Sequence, residues 1–342
     1  MNVLILGLGS IGQRWARLLS SYENVKIFTH RRLKLSKIIS QDLQSVINEN
    51  PETIYGITNL ITEKELKNLN FEIIFICTPI GIHLKDLELS LSLNTRKILV
   101  EKPLAHVIQD SDSNFLMSLI ESSRNLKNFP KIVTGYQSRF HPVVLRIKSL
   151  ISSKVIGIPH FVRSEYGEWL PGMHPYEDYK DSHMANFNLG GGPATCLSHE
   201  LDLIEVLFGE ITSHSGRFMK WGVLETNVPD LVTIAWEANS ESPFKISGET
   251  RMDFVSWPPT RMIEIFGSEG RLSFDWLKGI LKVFSRKNGI FEEDFSTISR
   301  DRVFTYELEE LMGPMDSKTS NFSSLESAVR ISKIASKYTV QY

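Results

Sequence analysis

The chain of 342 residues is short of several things that would narrow its class at once. It has only 2 cysteines, Cys77 and Cys196, far apart and in no CxxC pair, which excludes a disulfide framework. Long apolar runs are lacking too. The longest, 73–82, is broken by Thr78 and Pro79 and falls short of the roughly 20 residues that span a bilayer. No sign of charge dominates: 38 Lys+Arg against 40 Asp+Glu leave a net charge of -2, without the basic footprint of a nucleic-acid or anionic-membrane partner. No internal repeat and no low-complexity tract is visible. The N-terminus runs from Met1 and Asn2 straight into an apolar run ending at Gly7, with no basic leader pattern, so a soluble, cytoplasmic protein is expected.

What is present is ordinary globular composition, 42% hydrophobic, 23% charged and 10% aromatic. At roughly 100–200 residues per domain the length implies about two domains. Through about residue 125, apolar β-branched runs at 3–6, 25–28, 73–77 and 98–100 alternate with helical patterns that include 35–47, 84–93 and 114–124, and a further strand-like run follows at 131–135. Continuous apolar strands with helical crossovers imply an α/β half whose parallel sheet is covered on both faces. From 126 to 342 longer strand-like runs follow at 159–168, 211–221, 231–237, 244–251, 261–267 and 280–284, joined by turn-type residues. This reads as an α+β domain with a large, mostly antiparallel open sheet. Helical patterns stand at 198–208 and at about 323–338, and the latter is free to pack back on the first domain.

Gly7-Leu8-Gly9-Ser10-Ile11-Gly12 follows the first apolar run and opens a helical pattern. In that setting the glycines allow a tight turn, close approach of a pyrophosphate and close helix packing, with the phosphates on a helix N-terminus. The second strand ends Thr29-His30-Arg31-Arg32, where an NAD site usually carries a ribose-binding carboxylate. Two guanidinium groups there suit the 2′-phosphate of NADP, with NAD as the alternative cofactor.

Three further motifs accompany the fingerprint: Cys77-Thr78-Pro79 with His83, Glu101-Lys102-Pro103 at a strand end, and Gly135-Tyr136-Gln137-Ser138-Arg139-Phe140-His141-Pro142. A fourth is Gly190-Gly191-Gly192 followed by Ser198-His199-Glu200-Leu201-Asp202. Together they resemble the Gfo/Idh/MocA family of dehydrogenases, in the family's order and over nearly the whole chain. The resemblance implies an N-terminal Rossmann domain, a C-terminal α+β domain whose open sheet supports homo-oligomers (dimer or tetramer), and hydride exchange between a nicotinamide cofactor and a sugar, polyol or nucleotide-sugar hydroxyl, with surface-glycan synthesis as one setting. It implies cofactor contacts from Gly7, Gly9, Ser10, Ile11, Gly12, Thr78, Pro79, His83, Glu101 and Lys102, with Arg31 and Arg32 added from the strand end. Lys102 and His199 are the expected proton-transfer pair: a lysine beside a charged nicotinamide has a lowered pKa, and a histidine titrates near neutrality. Arg139, Tyr166, Trp169 and Glu200 are the expected substrate contacts.

One departure stands out. The family commonly has an Asp three or four residues before the histidine, where this chain has Cys196 and Thr195. Loss of hydride chemistry, leaving a cofactor-binding sensor or scaffold, therefore stays open, as does transient oxidation during elimination or hydrolysis. The stretch 166–179, rich in aromatic and acidic residues, suits a lid over a hydroxylated ligand or a plain surface loop. Its His174, Glu177, Asp178 and His183 have no metal-binding spacing, and no metal is expected.

Overall fold

Uninterrupted aliphatic runs build the first sheet. The computed structural model describes residues 1–30, 37–239, 245–315 and 320–342, and they form two compact units. The first comprises Met1–Gly135, Pro171–Gly191 and Ser324–Lys337. Its strands are β1 (Asn2–Leu6), β2 (Lys26–Thr29), β3 (Ile57–Asn59), β4 (Asn70–Ile76), β5 (Asn94–Glu101) and β6 (Lys131–Gly135). They pair in the order β3-β2-β1-β4-β5-β6, all parallel. That is the Rossmann order, whose switch point lies between β1 and β4. Val3, Leu4 and Ile5, like Ile98, Leu99 and Val100, are wholly buried, as strands covered on both faces must be. Helices α1 (Ser10–Leu19), α2 (His83–Leu91) and α3 (Asp110–Asn125) supply cover.

The helical pattern at 35–47 is not realised where the structure describes it. Ile38–Ile39 and Val46–Ile47 pair instead as two short antiparallel strands. The reason is local: the Ser40 hydroxyl donates to Asp42, and both side chains accept from the Gln44 N–H, which closes a turn that competes with helix. Besides these two, three strands escape the sequence pattern: β3, and two short ones of the larger sheet described next.

The second unit comprises Tyr136–Leu170, Gly192–Ser323 and Tyr338–Tyr342. Its eight strands are β7 (Pro159–Trp169), β8 (Ile211–Met219), β9 (Leu231–Ala238), β10 (Ile246–Asp253), β11 (Val255–Gly267), β12 (Gly270–Asp275), β13 (Ile280–Ser285) and β14 (Gly289–Asp294). The order is β8-β9-β10-β7-β11-β12-β13-β14, antiparallel except where β10 meets β7. Alternation sorts the faces: Val232, Ile234 and Trp236 are buried, while cross-strand ion pairs line the other side, with Arg163 reaching both Glu249 and Glu264.

Helices α4 (Pro142–Ser152), α5 (His199–Phe208) and α6 (Arg300–Met312) belong to this unit, and α7 (Leu325–Lys337) to the first. Two buried acids fasten α5. Asp202 accepts from the Arg139 Nε at 2.8 Å and from Nη2 at 2.8 Å, a two-pronged pair between groups 0% and 9% exposed. Glu200 accepts from the Ser164 hydroxyl at 2.6 Å and from the Arg261 Nε at 2.8 Å, which ties the helix to β7 and β11. Removing one member of a buried pair leaves the other charge uncompensated, so Asp202→Ala should lose about 3–5 kcal/mol of stability. Denaturant midpoints measure this, and a loss within about 0.5 kcal/mol would show that the pair does not hold the helix.

Candidate functional site

The Gly-rich turn is built by crossings that leave no room for side chains. Gly7 has φ +89°, and a Cβ on it would lie 2.7 Å from the Cys77 carbonyl. A Cβ on Gly12 would lie 1.9 Å from the Gly7 oxygen. Both glycines are therefore demanded by the protein's own packing, where α1 leaves β1 beside the end of β4. Gly9 differs: a Cβ there would meet nothing within 4 Å among the described residues, and its φ of -72° suits any residue. Its open side faces out at the start of α1, which has no side-chain cap and no acid in its first turn. A helix N-terminus so arranged offers backbone N–H groups to an anion, and the residue over it is the one that must stay bare if a diphosphate is to come close. The turn fits a dinucleotide on this ground.

Several side chains set the surroundings, and sequence reasoning missed most of them. Gln13 is buried; its amide donates to the carbonyls of Leu8 and Lys37 and accepts from the Ile39 N–H, joining the Gly-rich turn to the chain beyond β2. Thr78 donates to Asp86 at 2.6 Å, which orients the hydroxyl at the end of β4, and burial pushes the Asp86 carboxyl above the usual range. Trp15 donates its indole N–H to Glu101 at 2.9 Å while its ring packs on Phe75 with centroids 5.1 Å apart. Gly135 leaves space for that carboxylate, since a Cβ would approach it to 3.2 Å. Glu101 thus joins α1 to the end of β5. At the end of β2, Thr29 is buried with its hydroxyl on the Ile5 carbonyl, and the His30 ring meets the Leu60 carbonyl at 2.7 Å. Arg31 and Arg32 lie outside the described residues.

His83 is 1% exposed and lies between two loops, Nδ1 3.0 Å from the Pro103 carbonyl and Nε2 2.8 Å from that of Thr78. Burial pulls its pKa down to about 4, with Lys102 adding to the effect, so the ring is neutral and donates from one nitrogen only. It holds together the loops after β4 and β5, those carrying Thr78, Pro79 and Lys102. Lys102 is half-buried at the end of β5. Its charge also bears on His183, which burial holds at about 4.

In the second unit His199 opens α5, 4% exposed, with the Tyr136 ring edge-on at 5.8 Å. The acids that follow it, Glu200 and Asp202, are committed to Arg261 and Arg139. Arg261, which no motif pointed to, also donates to the Ser138 hydroxyl at 3.1 Å and lies over the rings of Tyr166 at 4.6 Å and Trp276 at 4.4 Å. Tyr166 is thereby a wall of the arginine's slot, and burial raises its phenol pKa. Trp169 is half-buried where β7 ends. Thr195 and Cys196 are buried in the short helix Pro193–Cys196, and the Thr195 hydroxyl donates to the Gly192 carbonyl. Among the described residues no group of three or more His, Cys, Asp or Glu side chains is placed to hold a metal ion.

Comparison with known proteins agrees with this architecture. Residues 144–273 match the GFO/IDH/MocA C-terminal domain family. A trans-1,2-dihydrobenzene-1,2-diol dehydrogenase of Xenopus tropicalis is 31% identical over 130 residues, 38% of this chain and 34% of that protein. The chain therefore spans about a third of that relative's length. Among solved structures, an oxidoreductase domain protein from Kribbella flavida superposes with a TM-score of 0.76 at 15% identity, covering 98% of this chain and 95% of the other. A UDP-N-acetylglucosamine 3-dehydrogenase from Acidithiobacillus ferrooxidans gives 0.69 at 16% identity, covering 99% and 96%. The first unit has a Rossmann sheet with a bare glycine at its switch point, and the second, over residues 144–273, is similar to the C-terminal domain of the GFO/IDH/MocA oxidoreductases.

Proposed function

We propose that the protein is an NAD(P)-dependent dehydrogenase or reductase, NADP-preferring, that acts on a ring-borne hydroxyl or carbonyl of a sugar, polyol or nucleotide sugar. Gly9 is the observation that carries the reading: nothing among the described residues requires a glycine there, and a bound diphosphate does. When bound, the nicotinamide supplies the hydride acceptor or donor. The substrate class is supported by two proteins that the chain resembles, one named for a nucleotide sugar and one for a cyclic diol. NADP preference rests on Arg31 and Arg32 standing where a ribose-binding carboxylate would be.

The chain's own part is proton transfer and positioning. Oxidation of a carbinol sends the hydride to the cofactor and leaves a hydroxyl proton that a side chain must accept; reduction returns it. Lys102 and His199 take that role. Glu101 and His83 act through the scaffold, holding α1 and the two loops around Lys102. Arg139 and Glu200 act likewise, fixing the helix that presents His199, while Tyr166 and Trp169 border the substrate surface. The aromatic residues on the open sheet face, with Phe161 and Phe266 6.0 Å apart, support a homo-oligomer formed through that face.

Gly9→Ala should leave the thermal midpoint unchanged while weakening dinucleotide binding by about tenfold or more. Gly12→Ala, whose new atom meets the Gly7 carbonyl, should lower the midpoint instead, at about 1–3 kcal/mol. Equal binding by the Gly9 variant and wild type would remove the diphosphate from this turn.

Fluorescence titration should show NADPH bound more tightly than NADH, and exchange of Arg31 and Arg32 for Ala should erase most of the difference. A wild-type preference for NADH would overturn the NADP assignment.

Single-turnover hydride transfer should fall by about 10²–10⁴-fold in Lys102→Ala and in His199→Ala, with dinucleotide affinity largely kept in the latter. Unchanged rates in both would take these residues out of the chemistry. Tight dinucleotide binding without transfer to any hydroxyl substrate would favour a sensor or scaffold.

A further inference from the structure

Gln13 follows the last glycine of the turn, within α1, and is 2% exposed. Its carboxamide has three partners. The Nε2 group donates to the Leu8 carbonyl at 3.1 Å and to the Lys37 carbonyl at 3.1 Å, while Oε1 accepts from the Ile39 N–H at 2.9 Å. Both amide protons are thus given to carbonyls and the oxygen to an N–H, so the carboxamide can face only one way. The far side of this anchor is itself held. Ile38–Ile39 pairs with Val46–Ile47, and Arg14, the next residue of α1, donates to the Gln41 carbonyl.

The bond to Leu8 sets a peptide plane. In a trans peptide the N–H points opposite to the C=O, so with the Leu8 oxygen drawn onto a buried side chain the Gly9 N–H points away from the interior. No backbone carbonyl among the described residues accepts from it. Gly9 makes such a hold necessary. Glycine takes positive φ about as readily as negative, so the Leu8–Gly9 peptide could flip at little cost. The flipped form would turn the Leu8 oxygen, with its partial negative charge, toward an arriving diphosphate. We propose that Gln13 is a positioning residue for the dinucleotide: by holding the Leu8 carbonyl inward it keeps the Gly9 N–H aimed at the diphosphate. The proposal rests on the dinucleotide reading of the Gly-rich turn. The bareness that lets the ligand approach also frees the backbone to turn away from it, and one buried amide removes that freedom before the ligand arrives.

Two measurements test this. In wild-type protein carrying isotope-labelled glycine, the Gly9 amide resonance, identified as the one missing from Gly9→Ala, should move downfield in its proton dimension when NADP⁺ binds, as an N–H donating to a phosphate does. Gln13→Met keeps the buried volume and removes all three hydrogen bonds. It should bind NADPH about five- to tenfold more weakly than wild type. In the Gly9→Ala background, where a Cβ disfavours the flipped peptide and already obstructs the diphosphate, Gln13→Met should weaken binding no further. A side chain that only braced the chain beyond β2 would weaken binding equally in both backgrounds, and that result, or wild-type affinity in Gln13→Met, would overturn the proposal. So would a Gly9 resonance that stays in place as the wild-type protein saturates with NADP⁺, a result that stands whether or not Gln13→Met folds. Failure of the wild-type protein to bind NADPH or NADH would remove the reading of the turn itself, and the role of Gln13 with it.

Discussion

The first unit depends on one steric constraint: three pieces of backbone must pass at the end of β1 with no side chain between them. Gly7 lets the Cys77–Thr78 peptide come alongside, and Gly12 lets α1 start directly over Gly7. The Cys77 N–H donates to the Leu6 carbonyl at 2.7 Å, so the crossing carries a hydrogen bond as well as a contact. A larger residue at either glycine would separate β1, α1 and β4, and with them the helix N-terminus and Thr78. The chemistry of the unit is set by where its backbone can meet.

The second unit solves a different problem, holding a polar helix start rigid inside the protein. His199, Glu200, Leu201 and Asp202 are all buried. Two carboxylates in the first turn are favoured by the helix dipole, yet burial would neutralise them without partners. Each receives an arginine, Arg261 from the sheet and Arg139 from the turn after β6. Since the two acids sit on different faces of α5, the helix is fixed in rotation as well as in place, and His199 is fixed with it. A site on a pinned helix keeps its geometry better than one on a loop.

How much of this was legible follows from what periodicity and motif can report. The Rossmann half was, because strands buried on both faces write themselves as apolar runs and the glycines stand at fixed offsets. The three-residue strand β3 was not, being too short to show alternation, and neither was the turn at Ser40–Gln44, whose hydrogen bonds defeat a helical pattern. Glu200 was visible as a polar residue in the right motif, but its partner Arg261 looked like any arginine in an alternating strand. Gln13, Arg14 and Trp15 form a buried run at the start of α1 that reads as surface. Such residues act through tertiary contacts, and no local pattern marks them.

The C-terminal helix shows why distance in sequence hides function most. Ser332 accepts from the Ala105 N–H at 3.3 Å and Ser336 from the Val107 N–H at 2.9 Å, so the loop after Lys102 has backbone donors satisfied from more than two hundred residues away. An aliphatic residue would bury more area at either serine, but it would leave a buried N–H without an acceptor, which costs as much as a core methylene or two contributes. On α7, Ser327, Ser332 and Ser336 are all buried beside Ala328, Ile331 and Ala335. Their small size lets the helix come close, and two of their oxygens finish the loop. The same loop carries the Pro103 carbonyl that meets His83. The loop that follows Lys102 is therefore held from two directions, by a histidine ring on one side and by hydroxyls of the last helix on the other, and α7 braces the strand end on which the proposed chemistry rests.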